Sequence, residues 1–335
     1  MRNLKTKLAA IVLSVASLTS SVQADCWDPC DPCNDCCLDF EIGADWLYWT
    51  PCINDQHFAI VGQESPTSLK TYYLCDEWDS GVRVWGKLDN FWNCFSGALF
   101  YTYINPKSSG SVTSELTNFV IFSNSTPAAY DAGESLTSKW DLEYQTVDAV
   151  LSYSIDVTQN RCLSVEAFSG LTWIDVTQKR TDVLTGTDTE VVSTYTFDRH
   201  NDFWAIGPCF GVNTSLRICD CFNVFGTIKT SLVVGESDSK DFFTQAEGST
   251  QPIEFDWKAK DECFCFPGLH LVAGIDYELC VCDFTFGIRA GWEYVQWINA
   301  PTFPYYEFEE LGVRSAPSTN DLTMQGIFVG LFASF

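Results

Sequence analysis

The stretch from Phe284 to Tyr294 reads Phe-Thr-Phe-Gly-Ile-Arg-Ala-Gly-Trp-Glu-Tyr, and its alternation decides the fold. Every second residue is apolar, and the residues between them are small, polar or charged. Because successive side chains of a β-strand point to opposite faces, the pattern predicts a strand with one apolar and one polar face. The run is longer than the roughly 5–6 residues of an ordinary strand, and its length suits a strand that crosses a bilayer.

The same alternation recurs along the chain and predicts ten strands, with connections that alternate between short and long. Short periplasmic turns opposite long outer loops are typical of an outer-membrane barrel. The predicted strands span residues 38–50, 80–90, 94–105, 138–154, 162–178, 202–218, 222–236, 263–279, 282–298 and 322–335. The long connections lie at 51–79, 106–137, 179–201, 237–262 and 299–321. They contain further β-like runs, which either extend strands above the membrane or add strands. Ten is therefore the minimum count, and 12–16 strands result if the runs add strands.

Composition excludes several classes of protein. The chain has 335 residues with 44 Asp and Glu against 19 Lys and Arg, a net charge of −25. This balance argues against binding to nucleic acid or to an anionic membrane surface, since both require clustered basic residues. No stretch reaches 18 consecutive apolar residues, so membrane-spanning helices are not expected.

Two all-β architectures remain, a soluble sandwich and a transmembrane antiparallel barrel. Strands in both alternate, but the long strands and the aromatic residues at their ends favour the barrel. Such a sheet must close on itself, because an open edge would leave backbone groups unpaired in lipid.

The N-terminus predicts export. Arg2, Lys5 and Lys7 give a positive start, an apolar run follows, and small residues at 22–24 precede a cut ahead of Asp25. A membrane anchor is the alternative, but the run is shorter than the roughly 20 residues that a spanning helix needs. The expected parts are a signal peptide (1–24), a Cys-rich periplasmic segment (25–37) and the outer-membrane barrel (38–335).

The first and last strands carry a family resemblance. The last strand alternates from Ile327 to a terminal Phe335, which is similar to the signal that the outer-membrane assembly machinery reads. The first strand, Asp39-Phe-Glu-Ile-Gly-Ala-Asp-Trp-Leu-Tyr-Trp49, resembles that of the Legionella-type pore-forming outer membrane proteins. That family is similar to the chlamydial major outer membrane protein-like porins. The resemblance implies a general-diffusion porin, oligomeric, in the outer membrane of a disulfide-linked bacterial envelope.

Sixteen cysteines in an exported chain predict disulfides. Eleven lie either in the segment after the signal or beside the short turns, so we expect a network at the periplasmic face, within the chain or to Cys-rich envelope proteins. These candidates are Cys26, Cys30, Cys33, Cys36, Cys37, Cys94, Cys162, Cys219, Cys221, Cys280 and Cys282. A zinc half-site or redox pair at Cys33 and Cys36, or free thiols acting as small apolar residues, are the alternatives.

Three other cysteines, Cys209, Cys263 and Cys265, lie within strands and fit this network poorly. A pairing of Cys52 with Cys75 near the outer side is a further possibility. Sixteen cysteines leave the connectivity undetermined.

Alternation also predicts which polar side chains face the lumen. A basic residue facing lipid at the midplane costs about 2–4 kcal/mol, so charged side chains on the strands should point inward. They either line an open pore or pair with one another and plug a narrow barrel. The candidates are Arg83, Lys87, Asn213, Arg217, Lys229, Asp276, Glu278, Arg289 and Glu293.

Catalysis is not expected, and neither is a cofactor or a metal. The Asp198-Arg-His-Asn-Asp202 run places Asp and His at a strand end, as outer-membrane proteases do, but a solvated loop edge explains it better. The leading hypothesis is passive diffusion of ions and small hydrophilic solutes. The alternative is a structural or adhesive surface antigen with a closed lumen. The expected partners are outer-membrane lipid, the assembly machinery, envelope proteins and further copies of the chain.

Overall fold

The computed structural model describes residues 39–335 except for 54–56, 64–69, 75–76, 93–94, 114–117, 123–134, 157–162, 189–190, 220, 248–252, 282–283 and 310–311. Fourteen strands make up this part of the chain, in the order β1 (Asp39–Ile53), β2 (His57–Gln63), β3 (Lys70–Tyr73), β4 (Asp79–Trp92), β5 (Phe95–Ile104), β6 (Lys107–Thr113), β7 (Asn118–Phe122), β8 (Ser135–Asp156), β9 (Leu163–Asp188), β10 (Val191–Cys219), β11 (Phe222–Glu247), β12 (Ile253–Val281), β13 (Phe284–Glu309) and β14 (Gly312–Ser334). None of the described residues forms a helix long and apolar enough to cross a membrane.

Ten of these strands close an antiparallel barrel, which confirms the predicted fold at its minimum strand count. Their order around the wall is β5-β4-β1-β14-β13-β12-β11-β10-β9-β8, and β8 pairs with β5 to complete the ring. The short strand β6 continues beside β8 outside the ring. Strands β2, β3 and β7 form a separate small sheet from the two longest connections.

The two ends of the barrel sequence meet at the periplasmic rim. Strands β1 and β14 pair along their whole common length, from Glu41 opposite Ser334 to Ile53 opposite Leu322. At the rim the backbone N–H groups of Phe40 and Phe335 donate to each other's carbonyl oxygens, at 2.9 and 3.0 Å. Their rings lie 5.3 Å apart. The terminal phenylalanine is therefore part of the seam that closes the cylinder.

The outward face of the ring is an apolar band bounded by aromatic side chains. On β10 the exposed outward side chains run from Trp204 to Ile218, about 46 Å of strand, or about 33 Å along the membrane normal at a tilt of about 45°. At the outer boundary, the rings of Tyr48 and Trp78 stack at 5.2 Å, and Trp78 contacts Trp292 at 6.2 Å. These dimensions match a hydrocarbon core of about 30 Å.

Three predicted outer loops are continuous strand. Residues 179–188 extend β9, 191–201 extend β10 and 237–247 extend β11, and β12 to β14 lengthen in the same way. Cross-strand pairing between β9 and β10 continues up to Val191 opposite Asp188. Alternating Val, Thr and aromatic residues in these segments suit a pleated sheet, so the wall rises beyond the membrane.

Above the membrane the wall is no longer a closed cylinder. Over the described residues, the pairing of β12 with β13 ends at Gly268 opposite Trp297. Beyond that point β12 pairs only with β11, and β13 pairs only with β14. The outer part therefore consists of a sheet, from β6 and β8 to β12, and a separate β13–β14 hairpin.

Candidate functional site in the barrel lumen

All nine predicted lumen residues lie on the face of their strand opposite the lipid-facing side. An internal cavity of about 410 Å³ occupies the membrane part of the barrel and extends to Ser154 and Glu278 near the periplasmic strand ends. Seven of the nine line it: Arg83, Lys87, Asn213, Lys229, Asp276, Glu278 and Arg289. Glu293 is buried in the lumen, and Arg217 lies near the periplasmic end of β10. Their role as the lining of an open pore stays a prediction.

The first group of charges joins β4 to β13 and β1 across the lumen. Arg83 Nη2 donates to Glu293 Oε1 at 2.5 Å, and Arg83 Nη1 lies 3.8 Å from Asp45 Oδ2. Glu293 also contacts the imidazole of His270. Arg289 Nε donates to Asp45 Oδ1 at 2.7 Å. Because a buried charge is costly unless it is paired, these five side chains are stable in the lumen only as a network.

A second group joins β11 to β8 and β9. Lys229 Nζ lies 2.6 Å from Asp148 Oδ2, and Thr172 Oγ1 donates to Asp148 Oδ1 at 2.5 Å. The lysine side chain reaches past β10 and β9, strands that lie between it and β8 around the wall. A barrel of ten strands is narrow enough for such a bridge.

The periplasmic end of the lumen carries more acid than base. Lys87 pairs with Asp89 at 2.9 Å. Asn223 Nδ2 donates to Asp276 Oδ1 at 2.6 Å and to Glu278 Oε1 at 3.1 Å. One uncharged amide thus donates to two carboxyl groups at this end of the cavity.

Sequence reasoning missed the partners of the predicted charges. The alternation puts Asp45 and His270 on the polar faces of their strands, yet neither is among the candidates. Asp148 lies on a strand predicted without assigning its faces. So does Glu166, whose Oε1 lies 3.6 Å from Lys87 Nζ. The same observation could have identified all four. Each is an ionisable residue on the inward face of its strand, where it needs an opposite charge within the lumen.

Aromatic rings fill much of the remaining lumen by lying on inward-facing glycines. A Cβ at Gly287 would lie 2.0 Å from Phe332 Cζ, and one at Gly268 would lie 2.5 Å from Trp297 Cζ3. Any side chain at these positions would displace the ring. The same relation holds for Trp85 on Gly43, Phe168 on Gly211, Phe225 on Gly274 and Phe328 on Gly291.

Toward the outside, apolar side chains replace the charges and meet across the lumen. We call this layer the outer seal; its residues are Leu47, Ile104, Tyr144, Val176, Phe203, Phe266 and Trp297, each at most 3% exposed. Trp297 Nε1 donates to Tyr144 Oη at 3.1 Å, which joins β13 to β8 across the lumen. The ring centroids of Phe266 and Trp297 are 5.6 Å apart, and those of Phe203 and Phe266 are 5.9 Å apart. Along the strands, this layer lies between the charged groups of the cavity and the segments that rise above the membrane.

Beyond the outer seal, the β13–β14 hairpin contacts the inner face of the sheet. The carbonyl oxygen of Pro301 accepts hydrogen bonds from Asn201 Nδ2 at 3.3 Å and Gln178 Nε2 at 3.4 Å. The Arg199 guanidinium lies over the Phe303 ring, 4.9 Å from its centroid. Strand β13 thus contacts β9 and β10, which lie on the opposite side of the wall.

The candidate Asp198–Asp202 run lies on the outer wall, above the apolar band. His200 Nε2 and Asp202 Oδ2 are 2.7 Å apart, and both side chains are partly exposed. Burial alone would raise the pKa of Asp202, but hydrogen bonds from His200 and Thr177 bring it below its ordinary value. Among the described residues, no group of three or more His, Cys, Asp or Glu side chains could hold a metal ion.

The described cysteines of β10, β12 and the turn after β10 separate into three locations. At the periplasmic side, β10 ends at Cys219, Cys221 is a free thiol in the following turn, and Cys280 lies near the end of β12. Cys209 is a buried free thiol facing the lumen. Cys263 and Cys265 are free and exposed on the outward face of β12. The disulfide network therefore stays a prediction.

Most of the disulfide candidates lie outside the described residues. Cys52 lies in the outer part of β1, but Cys75 falls outside the described residues. So do the signal peptide and the Cys-rich segment as a whole. The disulfide candidates outside the described residues are Cys26, Cys30, Cys33, Cys36, Cys37, Cys94, Cys162 and Cys282.

Several solved structures are similar to this chain, each at low sequence identity. The chain is similar in structure to the outer membrane protease OmpT of Escherichia coli, at 9% identity and a TM-score of 0.43, over 89% of this chain and 96% of that one. It is also similar to the toluene transporter TodX of Pseudomonas putida, at 8% identity and a TM-score of 0.28, over 89% of each chain. The attachment invasion locus protein Ail of Yersinia pestis matches at 10% identity and a TM-score of 0.22, over 89% of this chain and 99% of that one.

The family assignment comes from sequence. A comparison with curated proteins finds no match. The family model described as the Legionella pneumophila major outer membrane protein precursor matches residues 32–335, from just before β1 to the terminal phenylalanine. The chain therefore belongs to the Legionella major outer membrane protein family and is a β-barrel of the bacterial outer membrane.

Proposed function

We propose that this protein is a structural, surface-exposed barrel of the outer membrane whose lumen is closed on its outer side. One observation carries the proposal: the outer seal draws side chains from seven of the ten barrel strands and buries them against each other. A pathway for hydrated ions would need a continuous polar lumen, since dry apolar constrictions stop conduction. The wall that rises above the membrane supplies the surface for contacts outside the cell.

The lumen charges support the same proposal. The basic side chains of the membrane part, Arg83, Arg289 and Lys229, each contact a carboxylate directly. Paired charges hold the two sides of the barrel together, whereas an open pore would keep its charges hydrated. The lumen of this barrel thus resembles a packed protein interior in its outer half.

A porin is the second candidate, and the cavity favours it. The cavity of about 410 Å³ is lined by charged residues and extends to the periplasmic strand ends. Passive diffusion of ions and small hydrophilic solutes would require a path past the outer seal.

Single-channel recording in planar bilayers separates the two functions. We expect the wild-type barrel to be silent and the Trp297→Ala variant, which opens the outer seal, to conduct. Trp292→Ala is the matched control, because Trp292 is 45% exposed on the outward face of the same strand. Stable ohmic conductance of well-folded wild-type protein would refute the closed lumen and establish the porin.

A further inference from the structure

Outside the membrane, the β13–β14 hairpin is held at its base and separated from its neighbours in the wall. The described residues of β12 before Gly268, on the outer side, pair with β11 alone. Strand β1 ends at Ile53, opposite Leu322 of β14. The hairpin strands pair with each other from Ala300 opposite Asn320 to Glu309 opposite Gly312. Within the described part of the chain, the hairpin therefore has no ladder to either neighbouring strand above its base.

The base of the hairpin has the geometry of a hinge. Asn299 has a φ of 57°, the left-handed region that non-glycine residues rarely adopt. The register of β13 against β14 shifts between Trp297 and Ala300, and again between Thr302 and Tyr305. Asp321 fixes this bend, because its Oδ1 accepts from Asn299 N at 3.0 Å and its Oδ2 accepts from Gln296 Nε2 at 3.1 Å. Bulges of this kind redirect a strand out of its sheet.

Beyond the hinge, described side chains and backbone at 300–303 of the hairpin contact the inner face of the wall. Ala300 is fully buried in the same apolar cluster as Phe203 and Trp297 of the outer seal. Nearby, the Pro301 carbonyl accepts from its two amide donors, and the Phe303 ring lies beneath Arg199. Arg199 is itself held by Asp241, with Nε 3.3 Å from Oδ2.

We propose that the β13–β14 hairpin outside the membrane is a hinged lid over the outer seal, with Arg199 and Asn201 as the clamp that holds it shut. This inference rests on the proposed closed lumen and adds a means of opening it. Lifting the hairpin removes Ala300 from the apolar cluster and exposes the outer seal to water from the outer side. A segment without a lateral ladder on either side opens at lower free energy than the paired wall beside it.

Hydrogen–deuterium exchange of the full chain, exported to the outer membrane of a Gram-negative host and purified in detergent, tests the lid. We expect residues 300–309 and 312–320 to exchange together, at least about tenfold faster than the neighbouring extensions of β10 and β11. The double variant Arg199→Ala with Asn201→Ala should speed this exchange about tenfold again. His200→Ala is the matched control, since His200 lies between the two clamp residues and points outward, and it should change nothing.

A second variant keeps the test independent of the buried arginine. Asp321→Ala frees the hinge without touching the clamp, and it too should accelerate exchange in the hairpin. Folding of each variant is checked by its heat-dependent gel mobility. Hairpin exchange as slow as that of β10 in wild type, or unchanged in folded variants, overturns the lid. Bilayer recording is read separately: steady wild-type conductance refutes the closed lumen, whereas a silent barrel with a rigid hairpin refutes only the lid.

Discussion

Removal of the Glu293 carboxylate should strongly destabilise the barrel. Glu293 is 1% exposed and accepts from Arg83 at 2.5 Å, while the Arg83 side chain is 9% exposed. Taking away one partner of a buried ion pair costs about 3–5 kcal/mol, because the other charge is left uncompensated in a medium that solvates it poorly. Asp45, at 3.8 Å from Arg83, retains part of the attraction, so we expect Glu293→Ala to cost about 3 kcal/mol.

Reversible unfolding in urea with the barrel in phospholipid vesicles measures this cost, with tryptophan fluorescence as the probe. Asp256→Ala is the matched control, because the Asp256–Lys258 pair is more than half exposed and should contribute less than about 1 kcal/mol. The double replacement Arg83→Met with Glu293→Leu should restore most of the lost stability, since it leaves no buried charge from this pair. A cost for Glu293→Ala no greater than the control, or a double variant weaker than the single, would refute the network of paired lumen charges.

Four further changes test other parts of the structure. Gly287→Ala should cost about 1–3 kcal/mol in urea unfolding, because its Cβ would overlap the Phe332 ring. Ile228→Arg, at an outward position 59% exposed to lipid, should cost about 2–4 kcal/mol in the same assay. The lowered pKa of Asp202 means that its contribution is complete above about pH 4 and is lost as the pH falls, so Asp202→Asn should flatten stability against pH in that range. Gel electrophoresis without reductant should show high-mass species that reductant converts to monomer.

The two unfolding predictions have matched control variants, and each of the four predictions has a result that would contradict it. For the glycine, Gly86→Ala should be nearly neutral because the nearest atom to its Cβ is 3.8 Å away, and equal effects at both positions would contradict the ring packing. For the lipid face, Asp238→Arg lies on the exposed outer extension and should cost little, so equal costs would contradict the membrane boundary. An unchanged acid profile in Asp202→Asn would dismiss the role of its pKa. Identical migration with and without reductant would remove intermolecular disulfides.

The alternating strands could be predicted from sequence because lipid imposes a strict rule on every second residue. In the 284–294 stretch, each apolar side chain faces the membrane and each small or charged one faces the lumen, which the structure repeats around ten strands. The last strand, which the alternation predicts up to Phe335, pairs with the first strand in the structure. The family assignment likewise agrees with the resemblance carried by the first strand.

The sequence pattern could not separate a long loop from a long strand above the membrane. In segments such as 179–201 and 237–262, lipid no longer selects the outward side chains, so polar residues occupy both faces and read as loop. The structure shows that pairing continues there because the partner strand is present across the ladder. Cross-strand partners far apart in sequence decide such cases, and they are not visible in a local pattern.

Whether a side chain points into the lumen could be predicted from its neighbours in sequence. The charged residue that it contacts there could not. Alternation is enough to place Arg83 and Glu293 in the lumen, yet their contact spans 210 positions in sequence and depends on the order and shear of ten strands. The same holds for Trp297 on Tyr144 and for the hairpin on Arg199, contacts that only a closed and narrow barrel brings together. Periodicity therefore determined a membrane barrel with a polar interior, whereas the contacts across its lumen followed from long-range packing, because strand number and register set which side chains meet.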